Sequence, residues 1–423
     1  MCYPAVFVQI KRNSIRYFKL GDIRHSAKFV TYEVIQTDKC DVKQVVELPF
    51  LEKWLNDPQR RQYDTLDFMP PLLVCPSDTY NTFRGLAGEK LPPVPDDFQV
   101  DLEPIMTLLH DPCDRQDAPR EYVLSWLAHM VQQPGVLPRT GVIFQSKEGR
   151  GKNMLFGTLF GEKIIGRSLY KSSAKVDDFF GRFANGFVHK ILCNFNQTSS
   201  KDTSKIMGAV KETITEPVLS YEKKGADVVE IRNCARQLWF SNEDIPIKLS
   251  HDDRRWIAIQ ASESMPETDT AEHFAYFQRV KNWIDDDRNV KAFFDFLNTR
   301  DISEWKPDLR PRTSFYTDLQ QSNLSPLERW LVGQVETSSL PDKILSHQLA
   351  EILGKDYSPN LVTRQLRPFE HCGVELPEHK IAIKAGEYKG RGRGVVFDET
   401  RLADKSVAMR LMQSLFLPEH EES

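Results

Sequence analysis

The sequence lacks long apolar runs, clustered cysteines and a strong excess of either sign of charge. No uninterrupted apolar stretch is long enough to span a bilayer, and the first residues, MCYPAVFVQIKRNS, do not have the layout of a signal peptide. We therefore expect a soluble, intracellular protein. The net charge of −4 argues against a generally basic protein that coats nucleic acid, although basic residues can still gather in one channel.

The seven cysteines are scattered along the chain and include no C-x-x-C pair. A zinc site needs clustered ligands, and the only adjacent histidine and cysteine are His371 and Cys372. Free, reduced thiols of a cytosolic or nuclear protein fit this distribution better than a metal site.

Hydrophobic periodicity and breaker residues divide the chain into four regions. Residues 1–45 are interpreted as a small β-rich segment, and residues 46–137 as a mainly helical, collar-like region whose first helix starts near Val45. In residues 138–300 the apolar runs GVIF, KILCNF, QLWFSN and RWIAIQ alternate with helical stretches, which predicts a parallel α/β sheet. Residues 315–423 predict three short helices and a basic hairpin, the layout of a winged helix.

A glycine-bearing loop separates the strand GVIF from the next helix. It consists of Ser146, Lys147, Glu148, Gly149, Arg150, Gly151, Lys152 and Asn153. The backbone N–H groups of such a loop bind phosphate, while a lysine reaches the outer phosphates of a nucleotide. Ser146 replaces the first glycine of the usual G-x-x-x-x-G-K-[ST] pattern, and Asn153 replaces the hydroxyl residue that meets Mg²⁺. For the loop alone, a plain turn between strand and helix is an equal alternative.

Two amides, Asn196 and Gln197, follow the predicted strand HKILCNF. In P-loop enzymes that hydrolyse ATP, carboxylates at this place help to hold Mg²⁺ and polarise the attacking water. An amide orients a water but does not accept its proton, so slow or absent hydrolysis is expected. Three explanations stay open: a natural loss of hydrolysis, an engineered Glu→Gln change at 197 that traps the ATP-bound state, or another acid, such as Glu222 or Asp202, in this role.

Several segments, in order, resemble the superfamily 3 helicase domain of phage and large-DNA-virus primase-helicases. They are FQSKEGRGKN, ILCNFNQTSSKDT, VKETITEPVLSYEKKGADVVEIRN, QLWFSNEDIPI and DDRRW. The upstream FLEKWLNDPQRRQYDTLDFMPP and YNTFRGLAG resemble the region that precedes this domain. The resemblance implies an AAA+ P-loop core with a helical collar before it and a winged-helix-like module after it. It also implies a hexameric ring, ATP and Mg²⁺, single-stranded DNA, and a primase or polymerase as a possible partner.

The resemblance also implies roles for single residues. Gln197 and Asn196 match the Walker B tip, Asn242 matches a polar sensor of the γ-phosphate, and Arg254 or Arg255, with a narrow preference for Arg255, matches the arginine finger. The implied DNA contacts are Lys223 and Lys224 at a hairpin tip, and Lys384, Lys389, Arg391 and Arg393 in the wing. The alternatives are an ordinary turn at Asn242, surface ion pairs of the arginines, and solvated hairpins.

The sequence as a whole predicts an ATP-dependent, ring-forming DNA helicase motor for replication, with hydrolysis impaired by Gln197. One alternative is an ATP-gated DNA-binding or assembly platform that does not hydrolyse ATP. Another is a winged-helix DNA-binding regulator whose P-loop domain is a relic.

Overall fold

A computed structural model describes most of the chain. The described residues are 7–11, 14–18, 20–37, 43–113, 115–197, 203, 205–222, 228–243, 249, 253–261, 270–322, 324–337, 339–372, 374–384 and 388–398. Lys223 and Lys224, at the predicted hairpin tip, and the acid Asp202 lie outside these ranges. No helix within them combines the length and the apolar character that crossing a bilayer requires.

Five parallel strands form one sheet, called the central sheet below. Their order across it is Trp256–Gln260, Gly141–Gln145, Arg236–Ser241, Leu192–Phe195 and Tyr170–Ser173. This confirms the parallel α/β sheet predicted from four apolar runs; the sequence analysis missed Tyr170–Ser173, a polar edge strand. Strand Gly141–Gln145 is flanked on both sides by strands that come later in the chain. Its carboxyl end is therefore a topological switch point, where α/β sheets bind ligands.

Helices cover the first face of the central sheet and share one hydrophobic core with it. They are Glu103–His110, Asp117–Gln132, Asn153–Gly166, Ala271–Asp285 and Asp287–Thr299. Asp286 begins the last of these by accepting a hydrogen bond from the Arg288 N–H. Trp126 of the second helix and Phe144 of the sheet are fully buried in the same core. The predicted boundary at residue 137 therefore does not separate a collar core from a sheet core.

Aromatic side chains and three helices cover the second face of the central sheet. The helices are Asp177–Phe180, Met207–Thr215 and Ser314–Ser322. Phe195 stacks on Trp239 with ring centroids 4.0 Å apart, and Trp239 meets Trp256 edge-on at 6.1 Å. The last helix contributes Phe315 and Leu319 to this core. The C-terminal module predicted from residue 315 therefore starts after this helix, because the helix completes the core of the sheet.

An antiparallel pair of strands, Val218–Glu222 and Val228–Arg232, stands where the sequence predicts a hairpin. At its base the Asn233 amide Nδ2 donates to the backbone carbonyls of Thr213 and Glu216, each at 2.8 Å. These bonds fix the start of the hairpin to the helix before it.

The N-terminal residues form two antiparallel strand pairs and two short helices. The strands are Phe7–Lys11 with Ser14–Phe18 and Thr31–Thr37 with Lys43–Pro49, and the helices are Leu20–Ser26 and Phe50–Asn56. The prediction of a helix from Val45 is wrong up to Pro49, because Val45 and Val46 pair with Ile35 and Val34 across the second hairpin. Two further short strands pair in parallel, Thr65–Asp67 and Thr79–Asn81.

The C-terminal module has a separate core, in which Leu327, Leu349 and Val362 are fully buried. Its helices are Pro326–Glu336, Ser346–Leu353 and Pro359–Leu366. Its strands are Lys343–Leu345, Val374–Glu375, Ile381–Ile383, Gly390–Gly392 and Gly394–Phe397. The last strand lies between the first two in an antiparallel sheet, and the other two form a hairpin. This confirms the three predicted helices and the predicted hairpin.

Candidate functional site

The loop of residues 146–153 lies at the carboxyl edge of the central sheet. Gly149 and Gly151 both have φ of +74°, in the left-handed region that favours glycine. A Cβ atom on Gly151 would lie 2.7 Å from Leu108 Cδ1 and 2.8 Å from Phe277 Cε1. The loop therefore has a backbone shape and a close packing that larger residues at Gly151 would disrupt.

Lys152 points its ammonium group across this loop. Its Nζ donates to the Ser146 carbonyl at 3.0 Å and to Asn242 Oδ1 at 3.4 Å. Burial lowers the pKa of Lys152 to about 8, and the nearby Glu148 carboxylate partly opposes that shift. Because burial removes water from the ammonium group, an anion bound beside it would stabilise its charged form.

A cleft of about 540 Å³ opens beside the loop. It is lined by Glu148, Gly149, Arg150, Gly151, Lys152, Asn153, Met154, Ala174, Asn196, Gln197, Phe240 and Asn242. The structure thus brings most of the predicted loop together with the three predicted strand-end amides. Phosphate oxygens accept hydrogen bonds from backbone N–H groups, from lysine and from amide side chains. On the other side of the loop, His273 Nε2 lies 3.1 Å from the Gly149 carbonyl oxygen, so helix Ala271–Asp285 contacts the loop.

Asn196 and Gln197 follow strand Leu192–Phe195, as the sequence indicates. Asn196 Nδ2 donates to Ser172 Oγ at 2.6 Å. Gln197 has φ of +52°, which is uncommon for a residue other than glycine and is concentrated at functional sites. Neither amide takes up a proton at neutral pH, so this strand end can orient a ligand but supplies no base.

Glu148 is the one acid among the described residues that line the cleft. Its Oε1 accepts a hydrogen bond from Asn242 Nδ2 at 3.2 Å and another from Gln197 Nε2 at 3.3 Å. The sequence analysis placed Glu148 in the loop without a role for its carboxylate. Glu222, considered there as a substitute acid, pairs with Arg182 at 3.0 Å and does not line the cleft.

Arg254 and Arg255 have different surroundings although they are neighbours in the chain. Arg255 Nη1 lies 3.3 Å from Oδ1 of Asp253, whose side chain is fully buried. Lys211 Nζ lies 3.3 Å from the other oxygen of the same carboxylate. Arg254 is exposed, and it forms no ion pair within the described part of the chain. Arg255 is therefore held by residues of its own chain, whereas Arg254 is accessible to another molecule.

The basic residues predicted to contact DNA are partly described. Four of them lie on or beside the hairpin of the C-terminal module and are all exposed: Lys384, Lys389, Arg391 and Arg393. Their charges therefore face solvent rather than the core of the module. Lys223 and Lys224 belong to the residues that the structure does not describe.

Few protein groups in the cleft could bind a metal ion. Within the described ranges, no cluster of three or more His, Cys, Asp or Glu side chains could hold a metal ion. Mg²⁺ bound with nucleotide phosphates needs only one or two protein ligands, because it keeps several waters. Asn153 lines the cleft at the start of the helix and carries an amide oxygen, so it fits such a role.

Comparison with known proteins finds a family model and a phage relative that are similar to this chain. Residues 144–255 match the model of DUF5906, described as a family of unknown function. Over 151 residues the chain is 29% identical to the DNA primase-polymerase of Nitratiruptor phage NrS-1. That stretch covers 34% of this chain and only 20% of the phage protein. The matched residues thus span about a fifth of the curated relative.

Two solved structures of the same phage protein have a similar fold. The apo C-terminal region, residues 305–718, matches with a TM-score of 0.60 and 19% identity, over 84% of this chain and 92% of that region. An A-form apo structure of that region matches with a TM-score of 0.59 and 19% identity, over 87% and 94%. At this identity the likeness shows the fold alone. The chain is thus related to a phage DNA primase-polymerase, and its mixed α/β fold is similar to that protein's C-terminal region.

Proposed function

We propose that this chain is the ATP-dependent motor of a viral DNA helicase that serves DNA replication. The observation that carries the proposal is the position of Lys152 at the topological switch point of the central sheet. Its ammonium group lies beside Asn242, in a cleft lined by hydrogen-bond donors that suit phosphate oxygens. The AAA+ type of core and the winged-helix type of the C-terminal module belong to the same proposal. The relative's name supports replication as the setting, with a primase or polymerase as a partner.

Each part of the cleft has a task in ATP binding. The loop N–H groups and Lys152 hold the phosphates, and Asn242 contacts the γ-phosphate and so distinguishes ATP from ADP. Mg²⁺ would neutralise phosphate charge and would be held by the Asn153 amide oxygen, the phosphates and water.

The proposal includes a hexameric ring. Arg254 is exposed and Arg255 is bound to Asp253, so we assign the arginine finger to Arg254, which reverses the preference drawn from the sequence. A guanidinium supplied by the neighbouring subunit makes hydrolysis depend on assembly. Single-stranded DNA would pass through the ring along Lys223 and Lys224, and the exposed basic hairpin of the C-terminal module would contact phosphates.

Nucleotide titration tests the proposal. Lys152→Ala should abolish ATP binding in calorimetry, because the main cation of the phosphate site is lost. Lys281→Ala is a matched control, since Lys281 is exposed and pairs with Asp285 on an outer helix surface. Unchanged affinity in the Lys152→Ala variant would contradict the assignment of the cleft. Unwinding of a forked duplex by the natural chain, dependent on ATP, then tests the motor itself.

A second candidate function is an ATP-gated DNA-binding platform without hydrolysis. The amides Asn196 and Gln197, in place of carboxylates, favour it. ATP-dependent ring assembly without turnover, in this chain and in Gln197→Glu alike, would support this candidate, whereas turnover restored by Gln197→Glu would indicate a disabled motor.

A further inference from the structure

We infer that Glu148 is the proton acceptor for ATP hydrolysis, in place of the carboxylate that the end of strand Leu192–Phe195 lacks. The inference rests on the proposed function and adds a catalytic residue to it. It starts from the only acidic group that lines the described cleft.

The Glu148 carboxylate is fixed from two directions. Asn242 Nδ2 at 3.2 Å comes from the end of one central strand, and Gln197 Nε2 at 3.3 Å comes from the end of the next. Both bonds end on Oε1, and no described residue donates a hydrogen bond to Oε2, so its lone pairs are open to a water molecule. The same Asn242 amide contacts Lys152 Nζ at 3.4 Å through Oδ1. The Asn242 side chain therefore connects the Glu148 carboxylate to Lys152, the residue proposed to bind the outer phosphates.

The chemistry needs a base at this place. The side chains of Asn196, Gln197 and Asn242 line the same cleft, and an amide does not take up a proton at neutral pH. A carboxylate does so when it is close to the water that it activates. Gln197 and Asn242 then act as positioning residues, because they hold the carboxylate without taking the proton themselves.

The step balances without a further reactant. The oxygen of a water attacks the γ-phosphorus, and the bond from that phosphorus to the β,γ-bridging oxygen breaks. ADP leaves with the electron pair of that bond, and one proton of the water moves to Glu148 Oε2. The proton later returns to solvent or to the phosphate product, which restores the carboxylate.

The decisive variant is Glu148→Gln, which keeps the size and loses the base. We expect it to bind ATP within about threefold of the natural chain by calorimetry, and to hydrolyse ATP at least about 100-fold more slowly in single turnover. Glu162→Gln is the matched control, because Glu162 pairs with Arg167 outside the cleft.

A variant that moves the carboxylate from position 148 to position 197 gives a second test of the inference. The double variant Glu148→Gln with Gln197→Glu exchanges the two groups that lie 3.3 Å apart, and we expect it to recover part of the lost hydrolysis. Gln197→Glu alone, measured beside the double variant, shows how much hydrolysis a carboxylate at position 197 supplies while Glu148 is kept.

The outcomes separate the two proposals. Absence of ATP binding by the natural chain would overturn the proposed function. ATP binding with hydrolysis that Glu148→Gln leaves within about threefold would overturn this inference alone. ATP binding with no hydrolysis by the natural chain would also overturn the inference and would favour the platform.

Discussion

Lys152 Nζ lies 3.4 Å from Asn242 Oδ1, and the same amide donates through Nδ2 to Glu148 Oε1 at 3.2 Å. One amide at the end of a central strand therefore contacts both the cation and the anion of the loop. In the proposed function, a triphosphate bound by Lys152 replaces the contact from Asn242 Oδ1, while the bond from Nδ2 continues to hold Glu148.

The affinity for ATP should fall as the pH rises through about 8. Burial lowers the pKa of Lys152 to that value, so the ammonium form that attracts phosphate is progressively lost above it. Well above the pKa the loss approaches about tenfold per pH unit. Calorimetric titrations across this range measure it. Lys152→Arg is the control, because a guanidinium stays charged and should give a nearly flat profile; equal slopes in both proteins would contradict the prediction.

Replacement of Arg254 and replacement of Arg255 by Ala should have different effects. Arg254→Ala should leave ATP affinity and thermal unfolding unchanged but lower ring-dependent hydrolysis about 10³-fold or more, since a finger contributes about that much. Arg255→Ala should instead lower the unfolding temperature, because the buried Asp253 loses one of its two cationic partners. Hydrolysis assays and thermal melts on both variants test this, and the reverse pattern would assign the finger to Arg255.

Replacing Lys223 and Lys224 together by Ala should weaken binding of single-stranded DNA while ATP binding stays intact. Two fewer phosphate contacts should also reduce the salt dependence of DNA affinity, by a slope of about 1.4 on logarithmic axes. Fluorescence anisotropy at several salt concentrations measures both effects. Loss of DNA and ATP binding together would indicate misfolding rather than a DNA contact.

Arg236 should be essential for stability rather than for chemistry. It is buried, and it donates to the carbonyls of Gln133 at 2.6 Å and Pro134 at 2.8 Å. Arg236→Met should destabilise the fold by about 3 kcal/mol or more, because each orphaned buried carbonyl costs about 1–3 kcal/mol. Thermal melts of Arg236→Met and Arg167→Met provide the comparison, because the side chain of Arg167 is 82% exposed. Equal melting temperatures for the two variants would contradict the structural role.

The parts of the fold with strong local signals could be predicted from the sequence. The strands around Phe144, Phe195 and Trp239 have apolar residues at their centres, as buried parallel strands do, whereas strand Tyr170–Ser173 is a polar edge strand and gives no such signal. The helix prediction for residues 45–49 is wrong because the partner strand, rather than the periodicity of these residues, decides their conformation.

The arrangement of the site depends on contacts that are distant in sequence. Glu148 meets Gln197 across 49 positions and Asn242 across 94, so only the strand order of the sheet brings the three together. The choice between Arg254 and Arg255 likewise needs the burial of Asp253, because adjacent arginines have the same local pattern.

Helix Ser314–Ser322 belongs to the core of the central sheet, and helix Pro326–Glu336 begins the separate core of the C-terminal module. The border between the two cores therefore falls between residues 322 and 326. The chain could lose its terminal module there without exposing Phe315 or Leu319, whereas a cut only ten residues earlier would expose this face of the sheet to water.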